Sequence, residues 1–224
     1  KVLIVAEGVY GMDGDICPLD RLVEIKHRYR ALLMVDEAHS IGVLGATGRG
    51  VGEHFGIAGA DVDLWMGTLS KTLSGCGGYI AATGAMIAQL KFTAPGFVYS
   101  VGMAPALAAA SKAALDCMLA EPWRVEKLRS NGRLFLERAR AEGLNVGLSQ
   151  GYNVVPVITG RSVLAAQLSN ALLSRGINAQ PIIYPAVEER AARLRSHHSC
   201  EHDRQQICET VAATAEELRR LAGG

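Results

Sequence analysis

Three short apolar runs, each closing on polar residues, constrain this chain more than any other feature. "KVLIVAE" opens it, "ALLMVDEAHS" follows at 31–40 and "DVDLWMGTLSK" at 61–71. Near-continuous apolar runs of this length are typical of strands buried on both faces. Between the first two lies "PLDRLVEIKHRYRA", in which Leu19, Leu22, Val23 and Ile25 recur near helical spacing with Lys and Arg opposite, so an amphipathic helix is predicted. Strand, helix, strand reads as a βαβ unit and therefore as the parallel sheet of an α/β protein. Ligands of open α/β sheets collect at the carboxyl ends of the strands. Glu7, Asp36, His39, Thr68, Ser70 and Lys71 all stand just past the apolar runs, so one shared cleft is expected there.

Further along, "MAPALAAASKAALDCML" at 103–119 is strongly helical by propensity and suits a bridge between two lobes. The character then changes. A charged helix is predicted from Pro122 to a stop at Gly143, then a strand in "YNVVPVITG" and a helix capped by Ser162 and ended by Gly176. "INAQPIIYP" reads as another strand, and "DRQQICETVAATAEELRRLA" as a closing helix. Two domains are expected: residues 1–118, a mostly parallel-sheet domain with the bridging helix, and residues 119–224, a small α+β domain. The first strand is already under way at residue 2 with no initiator Met, so a preceding segment is expected.

Charge narrows the partners. With 23 basic against 22 acidic residues and no block of like sign, nothing marks a nucleic-acid or anionic-membrane surface. The longest apolar runs fall well short of the ~20 residues of a membrane helix, so no membrane span is expected. Five scattered cysteines without a Cys-x-x-Cys pair predict reduced thiols and a cytoplasmic setting. His197, His198, Cys200 and His202 are metal-ligand types, but their spacing is too tight for the usual paired-ligand patterns, and no metal site is predicted.

Asp36 by itself fits a helix cap or a loop acid as well as a partly buried acid in need of a cation, and His39 alone fits a structural histidine. Lys71 in "GTLSKTLSGCGG" has no charged neighbour within that stretch, among small residues that leave room for an approaching carbonyl carbon. A lysine that forms an imine needs some free amine near neutral pH. An acid and a lysine on adjacent strand ends suit pyridoxal phosphate, whose pyridine nitrogen the acid keeps protonated and whose aldehyde the lysine binds. The Thr68 and Ser70 hydroxyls could then donate to the cofactor phosphate.

Five ordered motifs, "EGVYGMDGDICPL", "VDEAHSIGVLGATGRG", "GTLSKTLSGCGGYIA", "FVYSVGMAP" and "YPAVEERAARLR", together resemble the α-oxoamine synthases of pyridoxal-phosphate fold type I. The resemblance covers about the C-terminal half of a family member and is nearest to serine palmitoyltransferase-like enzymes and related domains fused to polyketide synthases. It implies decarboxylative condensation of an amino acid (serine, glycine or alanine) with an acyl thioester carried by coenzyme A or an acyl carrier protein. It also implies a homodimer with active sites at the subunit interface. Lys71 would be the cofactor-binding lysine and proton shuttle, Asp36 the pyridinium partner, and His39 the partner of the cofactor's phenolic oxygen and of the acyl carbonyl. Thr68 would hold the phosphate, Ser100 would reach the neighbouring subunit's phosphate, and Arg195 would hold the amino-acid carboxylate. An aminotransferase or lyase on the same fold, and a noncatalytic partner subunit, are the alternatives.

The chain departs from the family's pattern at three places. Gly11 stands where relatives usually have serine. The polar "SHHSCEH" at 196–202 replaces an apolar strand, so a solvated, partly irregular segment is expected. The upstream half, which in the family supplies glycine-rich phosphate contacts and an aromatic residue stacked on the cofactor, has no counterpart in these residues.

Overall fold

A computed structural model describes residues 1–223. The chain divides into two compact units, Lys1–Val9 with Ile16–Val125, and Tyr10–Asp15 with Glu126–Gly224.

The first unit is built on a four-stranded sheet in the order β1 (Leu3–Glu7), β2 (Leu32–Asp36), β3 (Leu64–Thr68) and β4 (Gly78–Ala82). The first three strands are parallel, with Glu7 opposite Asp36 and Asp36 opposite Met66; β4 runs antiparallel, with Thr68 opposite Gly78. That last strand is not among the elements expected from the sequence. The β3–β4 hairpin brings Tyr79 across from Gly67, where a β-carbon would strike the tyrosine ring, so only glycine fits.

Helix α1 (Leu19–Tyr29) buries Leu19, Val23 and Lys26. Lys26 lies on the packed side because its ammonium has partners, the Asp63 carboxylate at 2.9 Å and the Asp61 carbonyl at 2.8 Å. Five-residue α2 (Val51–Phe55) follows β2, and α3 (Gly84–Thr93), α4 (Pro95–Val98) and α5 (Pro105–Ala120) follow β4. Thr83 caps α3 through its side chain.

The second unit carries a three-stranded antiparallel sheet in the order β5 (Val154–Ile158), β7 (Arg193–His197), β6 (Gln180–Ile182). Helices α6 (Trp123–Ala141), α7 (Ser162–Ser174) and α8 (Arg204–Ala222) contribute to its core. Phe135, Leu168, Leu172, Ile207 and Val211 from the helices meet Val155, Val157 and Leu194 from the strands. Gly143 and Gly176 both take positive φ just past a helix end, as expected of helix stops. Asp203 and Gln206 form a reciprocal capping box on α8.

Two expectations fail in this unit. Ser162 does not cap α7; it is the first helical residue, and its amide and hydroxyl both donate to the carboxylate of Glu189, 27 residues away. The segment 196–202 is not a solvated loop throughout. Ser196 and His197 complete β7, paired with Val155 and Val154, and the His198 amide donates to the Asn153 carbonyl. Strand pairing is a main-chain property, so polar side chains do not prevent it. The Asn131 side chain then donates to the carbonyls of Ser199 and His202 at 2.9 Å each.

The His198 ring packs on Phe135 with centroids 4.6 Å apart, and its Nε2 is buried without a hydrogen-bond partner. Burial, with help from the charges of His202 and His197, pushes its pKa down from 6.5 to about 3. A base whose folded pKa is depressed contributes fully above the unfolded value and loses that contribution as pH falls. The acid-side loss of stability below pH 6.5 is therefore expected to include up to about 1.4 kcal/mol per pH unit from this one residue. Denaturant unfolding at pH 7, 5.5 and 4 should show a shallower loss for His198→Leu than for the parent chain; equal slopes would refute the assignment.

No helix among the described residues is long and apolar enough to cross a membrane.

Candidate active site

The parallel register lines up the carboxyl ends of β1, β2 and β3, and the polar residues singled out in the sequence leave from that edge. Asp36 is the last residue of β2 and is half-buried. Its Oδ1 accepts from the Ala38 amide at 2.8 Å, a local turn just past the strand end. The chain then folds tightly: the Ser40 and Ile41 amides both donate to the Glu37 carbonyl, and half-buried His39 rides on this turn.

What holds the turn is Glu37, a residue to which the sequence reading gave no role. It is only 3% exposed, and its carboxylate accepts from the Ser40 hydroxyl and from the Val51 amide. Burial raises its pKa, while the bonds from Ser40, Val51 and Gly52 pull it back. The space around it requires glycine at Gly8 and Gly50, since a β-carbon at either would press on the Glu37–Ser40 pair. Sequence offered one faint signal of this, an acid inside an otherwise apolar strand-to-turn stretch.

Thr68 ends β3 two residues beyond the position opposite Asp36, about 7 Å further along the strand direction. The Thr68 and Ser70 hydroxyls share a hydrogen bond of 2.8 Å, and the Thr68 hydroxyl also lies 3.2 Å from the Gly77 carbonyl. The Leu69 amide donates to Gly77 and the Gly75 amide to Leu69, so residues 68–77 form a closed loop. Leu69 and Leu73 are buried beneath it while Ser70 and Lys71 are exposed. Thr72 donates to the Ile41 carbonyl at 2.8 Å, tying this loop to the one that carries His39.

Tyr79 is a second residue without a role in the sequence reading. Its pKa is raised, first by burial and then by the charges of Glu37 and Asp36, which places its phenol in the field of both acids. Only the β3–β4 pairing reveals this.

Asp36, His39, Thr68, Ser70 and Lys71 thus share one sheet edge. Ser100 lies elsewhere in the same unit, exposed between α4 and α5, its hydroxyl donating to the Val101 carbonyl at 3.1 Å. Arg195 belongs to the second unit, on β7, with Nη1 donating to the Gly11 carbonyl at 3.3 Å and Nε buried without a partner. Gly11 is buried on the segment that Arg195 contacts. Among the described residues no three His, Cys, Asp or Glu side chains are arranged to hold a metal ion.

The model of the aminotransferase class I and II family matches residues 1–213. The 8-amino-7-oxononanoate synthase of Symbiobacterium thermophilum is 41% identical over 219 residues, 98% of this chain and 55% of that protein. Among solved structures, SPT with its PLP internal aldimine superposes with a TM-score of 0.91 at 28% identity, over 98% of this chain and 55% of that one. The serine palmitoyltransferase of Sphingomonas wittichii gives 0.90 at 27% identity, over 99% and 55%. The chain spans about half the length of the curated relatives it matches.

Proposed function

The chain belongs to the class I and II aminotransferase family, and from that premise we propose that it is the C-terminal part of an α-oxoamine synthase. The reaction would be decarboxylative condensation of an amino acid with an acyl thioester. Its fold is that of the pyridoxal-phosphate enzymes of fold type I. The observation that carries the reading is the shared sheet edge: an acid, Asp36, at the carboxyl end of β2, and past the carboxyl end of the adjacent parallel β3 an exposed lysine on a closed loop with two hydroxyls, Lys71 with Thr68 and Ser70.

These residues fit pyridoxal phosphate. Asp36 would hold the pyridinium nitrogen, Thr68 and Ser70 the phosphate, and Lys71 the aldehyde carbon. Once bound, the cofactor supplies an electron sink for negative charge at the amino acid's α-carbon. Lys71 would also take and return protons at Nζ. His39 would hold the cofactor's phenolic oxygen and orient the acyl carbonyl. Arg195 would hold the amino-acid carboxylate, a task that suits the planar fork of a guanidinium. Fixing that carboxylate would orient the amino acid's α-carbon for reaction.

Residues 1–118 are read as the C-terminal part of the large cofactor domain and residues 119–224 as the small domain, in a cytoplasmic homodimer. Support for the dimer comes from the surface around Ser100: Phe92 is 84% exposed, Tyr99 89% and Val101 93%, an apolar stretch suited to a neighbouring subunit.

The test uses the full-length polypeptide with pyridoxal phosphate, serine, glycine or alanine, and acyl donors on coenzyme A or a carrier protein. CO₂ and free thiol are expected in equal amounts, each requiring both substrates. A keto acid formed without thiol release would replace the reading by an aminotransferase, and no turnover with any pair would favour a partner subunit.

A further inference from the structure

Arg193 and Arg195 stand two apart on β7 and so project to the same face of the sheet, while Leu194 between them enters the core. Both guanidinium groups reach the segment 10–15, some 180 residues earlier in sequence. Arg193 is buried: Nη1 donates to the Asp13 carboxylate at 2.6 Å and the Met12 carbonyl at 3.0 Å, and Nε to the Ala191 carbonyl at 2.9 Å. Arg195 takes the preceding carbonyl of the same segment, that of Gly11.

The segment is pinned from its other side too. The Gly14 carbonyl accepts from the Gln150 amide at 3.1 Å, and Gly14 takes a φ of +73° where a β-carbon would overlap the Val154 carbonyl. Tyr10 and Asp15 close it through a bond of 2.9 Å from the Tyr10 amide to the Asp15 carbonyl. The Gly11 carbonyl therefore has a set position, and it accepts from Nη1 of Arg195, which also meets the Met12 sulfur at 3.7 Å.

We propose that Arg193 is a positioning residue: its ion pair with Asp13 fixes the 10–15 segment on β7, and that segment, through the Gly11 carbonyl, holds the Arg195 guanidinium in the orientation that receives an amino-acid carboxylate. The inference rests on the reading of Arg195 given above. Lysine cannot replace Arg193 here, because one ammonium cannot reach a carboxylate and two divergent carbonyls with the geometry of a planar fork.

The experiment compares Arg195→Lys, Arg193→Lys and Asp13→Asn in the full-length enzyme, with KM measured separately for amino acid and thioester. Asp13→Asn keeps the guanidinium and its carbonyl partners, and so guards against a variant that fails to fold. Arg193→Lys and Asp13→Asn are each expected to raise the amino-acid KM on the order of tenfold, with kcat and the thioester KM nearly unchanged. Combining either with Arg195→Lys should add less than the product of the single effects. Amide hydrogen exchange of the peptide covering 10–15, read without substrate, should quicken in both. If Arg195→Lys raises the amino-acid KM while the other two leave it unchanged, or raise both KM values alike, the positioning role is overturned. If Arg195→Lys itself leaves the amino-acid KM unchanged, the reading of Arg195 falls and the inference with it.

Discussion

Replacing Lys71 by alanine is expected to abolish the visible band that borohydride fixes to the protein and to lower the condensation rate at least about 10³-fold. The effect should fall mainly on chemistry, because several bonds that close the loop are made by other residues. Residues 68–77 close through the Leu69 and Gly75 amides, the Thr68 hydroxyl and the Thr72 bond to Ile41, none of which involves the Lys71 side chain. Leu69 and Leu73 remain as the buried anchors. The measurement is an absorbance spectrum of the full-length protein with pyridoxal phosphate, before and after borohydride, followed by peptide mapping and the condensation assay. A band of unchanged intensity, trapped on another residue, would remove Lys71 from the site.

The second large effect is expected from Asp36→Asn. Asparagine keeps an oxygen for the Ala38 amide, so the turn that carries His39 should survive. What disappears is the negative charge that, on the proposed reading, would face a protonated ring nitrogen. Removing a single preorganised electrostatic partner of this kind typically costs on the order of 10² to 10³ in kcat. Turnover should fall by about that factor with saturating cofactor, while the thermal unfolding temperature changes little. Turnover within twofold of the parent would mean that Asp36 is only a structural turn acid, the plainer reading that its sequence context also allowed.

Much of the architecture was legible because it is written in local pattern. The apolar runs ending at Glu7, Asp36 and Thr68 are parallel strands, Leu19 and Val23 face inward on α1, and Gly143 and Gly176 end helices with positive φ. The β4 strand escaped notice because its residues are mostly exposed and glycine precedes them, so no buried alternation marks it. Lys26 was assigned to the solvent side of α1, since nothing nearby in sequence announces Asp63 as its partner. Ser162 has the chemistry of a helix cap, but a carboxylate from Glu189 took over the task of satisfying that helix end. The polar run at 196–202 misled for a related reason: β5 supplies main-chain partners that residue polarity cannot veto.

Residue order alone therefore determined the strand ends, and with them the gathering of Asp36, His39, Thr68, Ser70 and Lys71 on one edge, because a parallel sheet places successive carboxyl ends side by side whatever packs around them. Only the tertiary structure decided how that edge is braced and which residues hold Arg195 and its neighbouring segment. Glu37 acts through Val51, Tyr79 lies across from Gly67, and Arg193 holds Asp13 from 180 residues away. Glu37 and Arg193 are buried polar groups, each of which must find a partner in three dimensions, and distance along the chain carries no record of which partner that will be.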